Sequence, residues 1–324
     1  SGLLPNTTYT FRVRTKNAML DAVNDYFTDQ STATRIQNVV NCHLTVNSPS
    51  QLSALPSNAA SMSNLSVGYS GWIIKIKDSV TDEITYSDWK NDTVAISTTV
   101  LKPDRLYYFS GKSRNRLGLE NGWSVETATY TYANAPSSPV VQAVAGYDDR
   151  LKVIIDNFAT NENPDITQYR IEIRRTDQGN WATNTKYIRE EGSNFIVTDY
   201  ESSATYKTRS QWGGESGFII SGLLSNMEYA IRLRARNYYG HLSADGNQTL
   251  KKTLPGKPAN VTAVPASGYE TSRITLSWDS NAYQYRVQYA TSSYGNWSDV
   301  FNAWDLTLTS TIHYNLTPST CVFY

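Results

Sequence analysis

Apolar and polar side chains alternate along several short stretches of this chain. Leu3, Pro5, Thr7, Tyr9, Phe11 and Val13 occupy alternate positions and are followed by Asn17. The same beat returns at Leu101, Pro103, Arg105, Tyr107 and Phe109 before Asn115, and at Leu223, Ser225, Met227, Tyr229, Ile231 and Leu233 before Asn237. In all three copies the Asn stands eight positions after the Tyr. A fourth copy runs through Leu316, Pro318, Thr320, Val322 and Tyr324, with Val where Tyr is expected. A period of two gives a strand one apolar face and one wet face. Arg12, Arg14, Arg114, Arg116, Arg232, Arg234 and Arg236 then belong on or near the wet side. Gly118 and Gly240, three residues after their Asn, mark a hairpin-like turn that needs positive φ; Leu20 takes that place in the first copy, whose turn is expected to differ.

A second element repeats independently. Pro49, Leu52, Leu55, Pro56, Leu65, Val67 and Tyr69 match Pro258, Val261, Val264, Pro265, Ile274, Leu276 and Trp278; Pro139, Val141, Val144, Leu151, Val153 and Ile155 form a shorter variant. Each follows a Pro-containing stretch read as a semi-stiff joint: Asn47-Ser48-Pro49, Ala135-Pro136-Ser137-Ser138-Pro139 and Leu254-Pro255-Gly256-Lys257-Pro258. Alternating third strands come next, at Trp72–Ile76, Tyr169–Ile173 and Tyr285–Tyr289.

These residues together resemble the fibronectin type III family: Leu-x-Pro-x-Thr-x-Tyr-x-Phe-x-Val with a downstream Asn, preceded by an Ile-x-Leu-x-Trp strand. The resemblance implies an all-β chain of tandem fibronectin type III-like (immunoglobulin-like) β-sandwiches with incomplete terminal modules. It places the C-terminal part of a module at 1–47, whole modules at 48–134 and 135–254, and the N-terminal part of a fourth at 255–324. It also implies that Trp278, or Tyr69 and Ile155 in its place, plugs each core, and that Tyr9, Tyr107 and Tyr229 are corner tyrosines with the hydroxyl bonded to nearby backbone.

Two insertions depart from that pattern. Residues 18–40 lengthen the last hairpin of the first module, and residues 176–217 enlarge the third. The latter carries Trp181, Tyr187, Phe195, Tyr200, Tyr206 and Trp212. Either it packs as an extra hairpin, or Trp181, Tyr187, Tyr200, Tyr206 and Trp212 form a contact surface for a partner or glycan. The half-modules at the ends are expected to be fragments of a longer array, or strands exchanged head to tail between copies.

Composition supports β structure, with 23 Tyr and 8 Trp against 3 Met. Basic and acidic residues both number 29, so no net field attracts nucleic acid or an anionic membrane. No apolar run is long enough to span a bilayer. Cys42 and Cys321 fall in different modules, which leaves no disulfide framework. Asn-x-Ser/Thr sequons begin at Asn6, Asn64, Asn91, Asn247, Asn260, Asn296 and Asn315.

Catalytic constellations are not found. His43, His241 and His313 are assigned to different modules, and Cys42 and His43 point to opposite strand faces. Asp156, Asn161, Glu162, Asn163 and Asp165 offer oxygen atoms without the spacing of a calcium loop. Trp123 is expected to stack on Arg114 or Arg116. The expectation is a non-enzymatic structural or adhesive array without cofactor, extracellular, at a cell surface or on a phage virion, whose partners are proteins, copies of itself or glycans. Scarce cysteine and weak identity between modules lean towards bacteria or their phages. The alternative is an ancillary carbohydrate-binding region of a larger secreted enzyme, with Trp181, Trp212, Trp297 and Trp304 as stacking platforms.

Overall fold

The computed structural model describes residues 2–16, 23–24, 28–155, 162–280, 282–300, 307–318 and 320–324. Asn17, Leu20, Asp156, Asn161 and Trp304, singled out above, lie outside these residues, as does part of the stretch 18–40.

The second module is a sandwich of two antiparallel sheets. Cys42–Ser48, Gln51–Pro56 and Ile96–Thr98 form a three-stranded sheet; Thr127–Tyr130, Leu106–Arg114, Gly71–Asp78 and Ile84–Tyr86, in that spatial order, form a four-stranded one. Between them lie Leu52, Ala54, Trp72, Ile74, Ile76, Tyr107 and Phe109, the inward members of each alternating run. This seven-strand arrangement is the fibronectin type III-like sandwich that the resemblance implies.

Two readings of this module are corrected. Asn47-Ser48-Pro49 is not a joint: Ser48 pairs with Gln51, so Pro49 sits in a tight turn between the first two strands. Leu52 therefore belongs to the second strand, and Leu65, Val67 and Tyr69 fall in the loop that follows. Tyr69 is 67% exposed and plugs nothing; Trp72, on the third strand, is fully buried and donates its indole N–H to Asp92 O at 2.8 Å. Period-two alternation cannot say which of two consecutive apolar runs is the first strand. Ile155 and Trp278 do lie in their cores, at 3% and 7% exposure.

In the third module the sheets merge. The strand order is Val140–Ala143, Leu151–Ile154, Phe218–Ile220, Asn194–Thr198, Lys186–Glu191, Gln168–Arg175, Glu228–Arg236 and Thr249–Lys252. The inserted hairpin, Lys186–Glu191 with Asn194–Thr198, bridges the sandwich halves: Ile173 pairs with Lys186 on one side and Phe195 with Ile220, in parallel, on the other. The extra-hairpin reading of 176–217 is what the structure adopts. Thr249 Oγ1 donates to Pro139 O at 2.5 Å, drawing the first and last strands together.

Fewer strands are described in the terminal modules. In the first, Thr8–Phe11 pairs with Gln30–Ala33 and Thr15–Lys16 with Val23–Asn24. In the fourth, Thr262–Pro265, Ile274–Ser277 and Ser310–His313 form one sheet over Leu276, Trp278 and Tyr285, while Gln288–Tyr289 pairs with Ser298–Asp299.

Candidate functional sites at the joints and on the aromatic faces

Each repeat of the Leu-x-Pro segment builds the same corner. The hydroxyls of Tyr9, Tyr107 and Tyr229 accept the backbone N–H five residues upstream, from Leu4 at 2.7 Å, Lys102 at 2.8 Å and Leu224 at 2.9 Å. Burial pushes the Tyr107 and Tyr229 hydroxyls above their ordinary pKa, so they remain protonated at neutral pH. Asn6, Asp104 and Asn226 stand at the bend with φ of 48°, 45° and 53°, the left-handed region that Asn and Asp tolerate best. Thr34, Thr131 and Thr253 close the corner by donating to Leu4 O (2.6 Å), Lys102 O (2.6 Å) and Leu224 O (2.7 Å).

The next module docks on this corner. Asn115, 1% exposed, caps its own turn by accepting from Leu117 N at 3.0 Å and Leu119 N at 2.9 Å, and donates through Nδ2 to Thr34 O of the first module at 3.1 Å. Reciprocally, Asn6 Oδ1 accepts from Arg116 N at 2.8 Å. Its Nδ2 donates to Ser63 O (3.1 Å), Asn64 O (2.8 Å) and Ser70 Oγ (2.8 Å). The second joint repeats the geometry. Asn237, 3% exposed, accepts from His241 N at 2.9 Å and donates to Thr131 O at 3.0 Å; Asp104 Oδ1 accepts from Tyr238 N at 3.0 Å and its Oδ2 from Thr167 Oγ1 at 2.7 Å. Gly118 and Gly240 complete the two turns at φ of 83° and 85°.

The connecting segments are also fixed. Asn121 donates to Ile36 O at 2.9 Å and Ser113 to Gln37 O at 2.7 Å; Asn163 takes both the N–H and the C=O of Asn134, at 2.8 and 3.0 Å. Val39 lies over Gly111, where an added Cβ would stand 2.8 Å from Val39 Cγ1. The recurring Asn is visible in the sequence, but its bond across the joint is not. The available signal was the pairing of that Asn with Pro5-Asn6 and Pro103-Asp104 upstream of the Tyr.

The aromatic candidates of the third module separate. Trp212 is 1% exposed among Phe195 and Phe218, and its indole donates to Tyr169 O at 2.9 Å. It is core, because the inserted hairpin must bury an apolar face of its own. Trp181 is half-buried with Arg232 at 4.2 Å over its ring and its indole bonded to Gln248 Oε1 at 2.7 Å. Tyr187 and Tyr206 are half-buried beside Arg170 and Arg236, at 5.2 and 3.8 Å from the ring centres. Tyr200 alone of the five projects freely, at 71% exposure.

These rings cover an ion network. Arg170, 2% exposed, meets Glu172, 1% exposed, at 2.7 Å, and also bonds Glu201 and the Tyr206 hydroxyl. Glu172 holds Arg232 at 2.7 Å, and Asp245 holds Arg232 at 2.6 Å and Arg234 at 3.1 Å. Burial works against the Arg170 charge, but Glu201, Tyr206 and Glu172 outweigh it and raise its pKa. Hydrogen bonding from Arg170 holds the Glu201 carboxyl below its usual range.

The second module carries a smaller stack. Trp89 lies on Arg114 at 4.0 Å, while Trp123 lies near Lys112 at 4.8 Å and Lys75 at 5.4 Å, so Trp123 does not take Arg114 or Arg116 as expected. Arg114 pairs with Gly71, where an added Cβ would stand 2.7 Å from Lys90 O. Cys42 is buried, its thiol pushed up to about 12 by desolvation, and His43 is exposed on the other face. Of the oxygen-bearing residues near 160, Glu162 pairs with Lys102 at 3.3 Å and Asn163 serves the joint; among the described residues no cluster of His, Cys, Asp and Glu could hold a metal. No helix among the described residues is long and apolar enough to cross a membrane.

No family model matches the chain, and no curated protein matches it. Among solved structures it is similar to the chicken CNTN1 FN1–FN3 domains, at 15% identity over 87% of this chain and 90% of that one, with a TM-score of 0.30. It is also similar to a two-domain fibronectin type III segment from chicken tenascin, at 10% identity over 67% of this chain and 100% of that one, with a TM-score of 0.38.

Proposed function

We propose that this chain is a non-enzymatic repeat array that holds its modules at fixed spacing and orientation, acting as an extracellular, cell-surface or virion-surface spacer and protein-binding scaffold. The observation that carries this reading is the reciprocal clamp at the joints, Asn115 and Asn237 reaching back to Thr34 O and Thr131 O while Asn6 and Asp104 receive Arg116 N and Tyr238 N. A flexible tether needs none of these buried groups. We place the two clamped joints at residues 35–41 and 132–138 and a third link at 254–260, which moves the first module boundary from 47 back to 41 and leaves the others near 134 and 254.

Spin labels on Val80→Cys and Tyr200→Cys, both at exposed positions, in a Cys321→Ser background, test it. The reading requires a narrow distance distribution that broadens in Asn237→Ala. A parent distribution as broad as that of Asn237→Ala would overturn it.

Head-to-tail strand exchange is a finer form of the proposal. It is supported by an apolar groove on the fourth module, lined by Val261, Leu276, Trp278, Tyr285, Val287 and Tyr324, and by exposed Phe11 and Val13 on the first. A strictly monomeric particle across a concentration series discards it. The carbohydrate-binding alternative loses support where Trp212 is core and Trp181 is covered by Arg232; Trp297, 43% exposed, remains its platform.

A further inference from the structure

The two joints differ in one atom that titrates. At the first, the residue after the corner proline is Asn6; at the second it is Asp104. Both are buried, at 0% and 2% exposure, and both accept the turn N–H of the following module through Oδ1. Each one's second polar atom meets the hydroxyl just before the third strand of that module, with opposite polarity. Asn6 Nδ2 donates to Ser70 Oγ at 2.8 Å, whereas Asp104 Oδ2 accepts from Thr167 Oγ1 at 2.7 Å.

We propose that Asp104 makes the joint between the second and third modules acid-sensitive, tightening as its carboxyl gains a proton, while the joint at Asn6 is indifferent to pH. This rests on the clamped-joint reading above. A protonated carboxyl has the hydrogen-bonding pattern of a carboxamide, one acceptor oxygen and one donor. Neutral Asp104 can therefore donate to Thr167 as Asn6 donates to Ser70. Among the described residues the ionised form is buried without a paired cation, which is costly.

The neighbouring charges do not compensate. Arg105 is engaged by Asp78 at 2.9 Å and Lys102 by Glu162 at 3.3 Å. The titratable aromatic groups at this joint are the phenol of Tyr130, stacked on Tyr238 at 4.9 Å and edge-on to Tyr239 at 5.1 Å, and His241, edge-on to Tyr132 at 5.7 Å. Desolvation raises the Asp104 pKa, and the bonds from Thr167 and Tyr238 only partly offset it.

The sign follows by linkage. In the undocked joint Asp104 is solvated and titrates near the ordinary value of about 3.9. With the docked pKa higher, protonation favours docking. The gain is complete below the undocked pKa and is lost as pH rises through the docked one. Between the two, the docking equilibrium changes by up to about tenfold per pH unit.

The test is the inter-module distance distribution across pH 3.5–7.5 with the Val80→Cys and Tyr200→Cys labels, in the parent, Asp104→Asn and His241→Asn, and with a Val13→Cys and Val80→Cys pair across the first joint. The proposal expects the parent distribution to narrow on acidification, Asp104→Asn to be narrow throughout, His241→Asn to behave as the parent does, and the first joint not to respond. A parent distribution that ignores pH, or Asp104→Asn still narrowing with acid, overturns it, as does a response abolished by His241→Asn. Failure of the underlying reading looks different: Asp104→Asn would be broad at every pH, and Asn237→Ala would change nothing.

Discussion

Asp104 and Tyr238 lie 134 residues apart in sequence, yet the carboxylate of one accepts the backbone N–H of the other at 3.0 Å. The bond crosses from the corner of one module to the last turn of the next, and Asn6 makes the same bond to Arg116 one joint earlier, at 2.8 Å. Repetition of this contact with different side chains at its rim makes the joint a built feature of the array.

Asn237→Ala is expected to leave His241 N and Thr131 O without their partner and to destabilise the protein by about 1–3 kcal/mol. Asn237→Asp keeps the acceptor for His241 N and loses only the donor across the joint. Thermal unfolding should rank the parent first, Asn237→Asp second and Asn237→Ala last; equal melting of Asn237→Ala and the parent would show the amide to be idle.

Tyr107→Phe removes the acceptor of Lys102 N while the buried ring stays in place. The expected loss is about 1 kcal/mol in denaturant unfolding. A variant as stable as the parent would mean that the corner holds without its hydroxyl.

Gly111→Ala places a Cβ against Val39, where the connecting segment crosses the strand. The variant should be destabilised by about 1–3 kcal/mol, and Val39→Ala should relieve most of it. Additive losses in the double-mutant cycle would show that the two residues do not meet.

The Glu201 carboxyl, held below its ordinary range by Arg170, contributes stability that is present above about pH 4.5 and lost as pH falls through its lowered folded value. Because Glu201 is 56% exposed the effect is small and salt-sensitive. Glu201→Gln should flatten part of the acid limb of the stability profile; an unchanged limb would place the acid loss elsewhere. Glu172 is the costlier residue: it is the buried carboxylate shared by Arg170 and Arg232, and Glu172→Ala, which leaves Arg170 to Glu201 and Tyr206 and Arg232 to Asp245, should cost about 3 kcal/mol.

The alternating runs around Tyr9, Tyr107 and Tyr229 were legible as strands because one residue in two must face the core, and the corner hydroxyls sit where the family resemblance implied. Strand identity near Pro49 was not legible, since two adjacent apolar runs carry the same period. Nor was the fate of the insertion's aromatics: nothing in a single sequence separates Trp212, which fills the space under a new hairpin, from Tyr200, which faces solvent. The clamp was half legible. The Asn recurred at constant spacing, but its partner, Thr34 O or Thr131 O, is a backbone atom that leaves no trace in side-chain pattern.

The fixed joint is tested most directly by amide hydrogen exchange at Arg116 and Tyr238, whose backbone N–H groups sit in turns and donate across the joint to Asn6 and Asp104. The account predicts slow exchange at both in the parent, with Asn6→Ala freeing Arg116 alone and Asp104→Ala freeing Tyr238 alone. Exchange at both positions as fast as in an unstructured loop would contradict it.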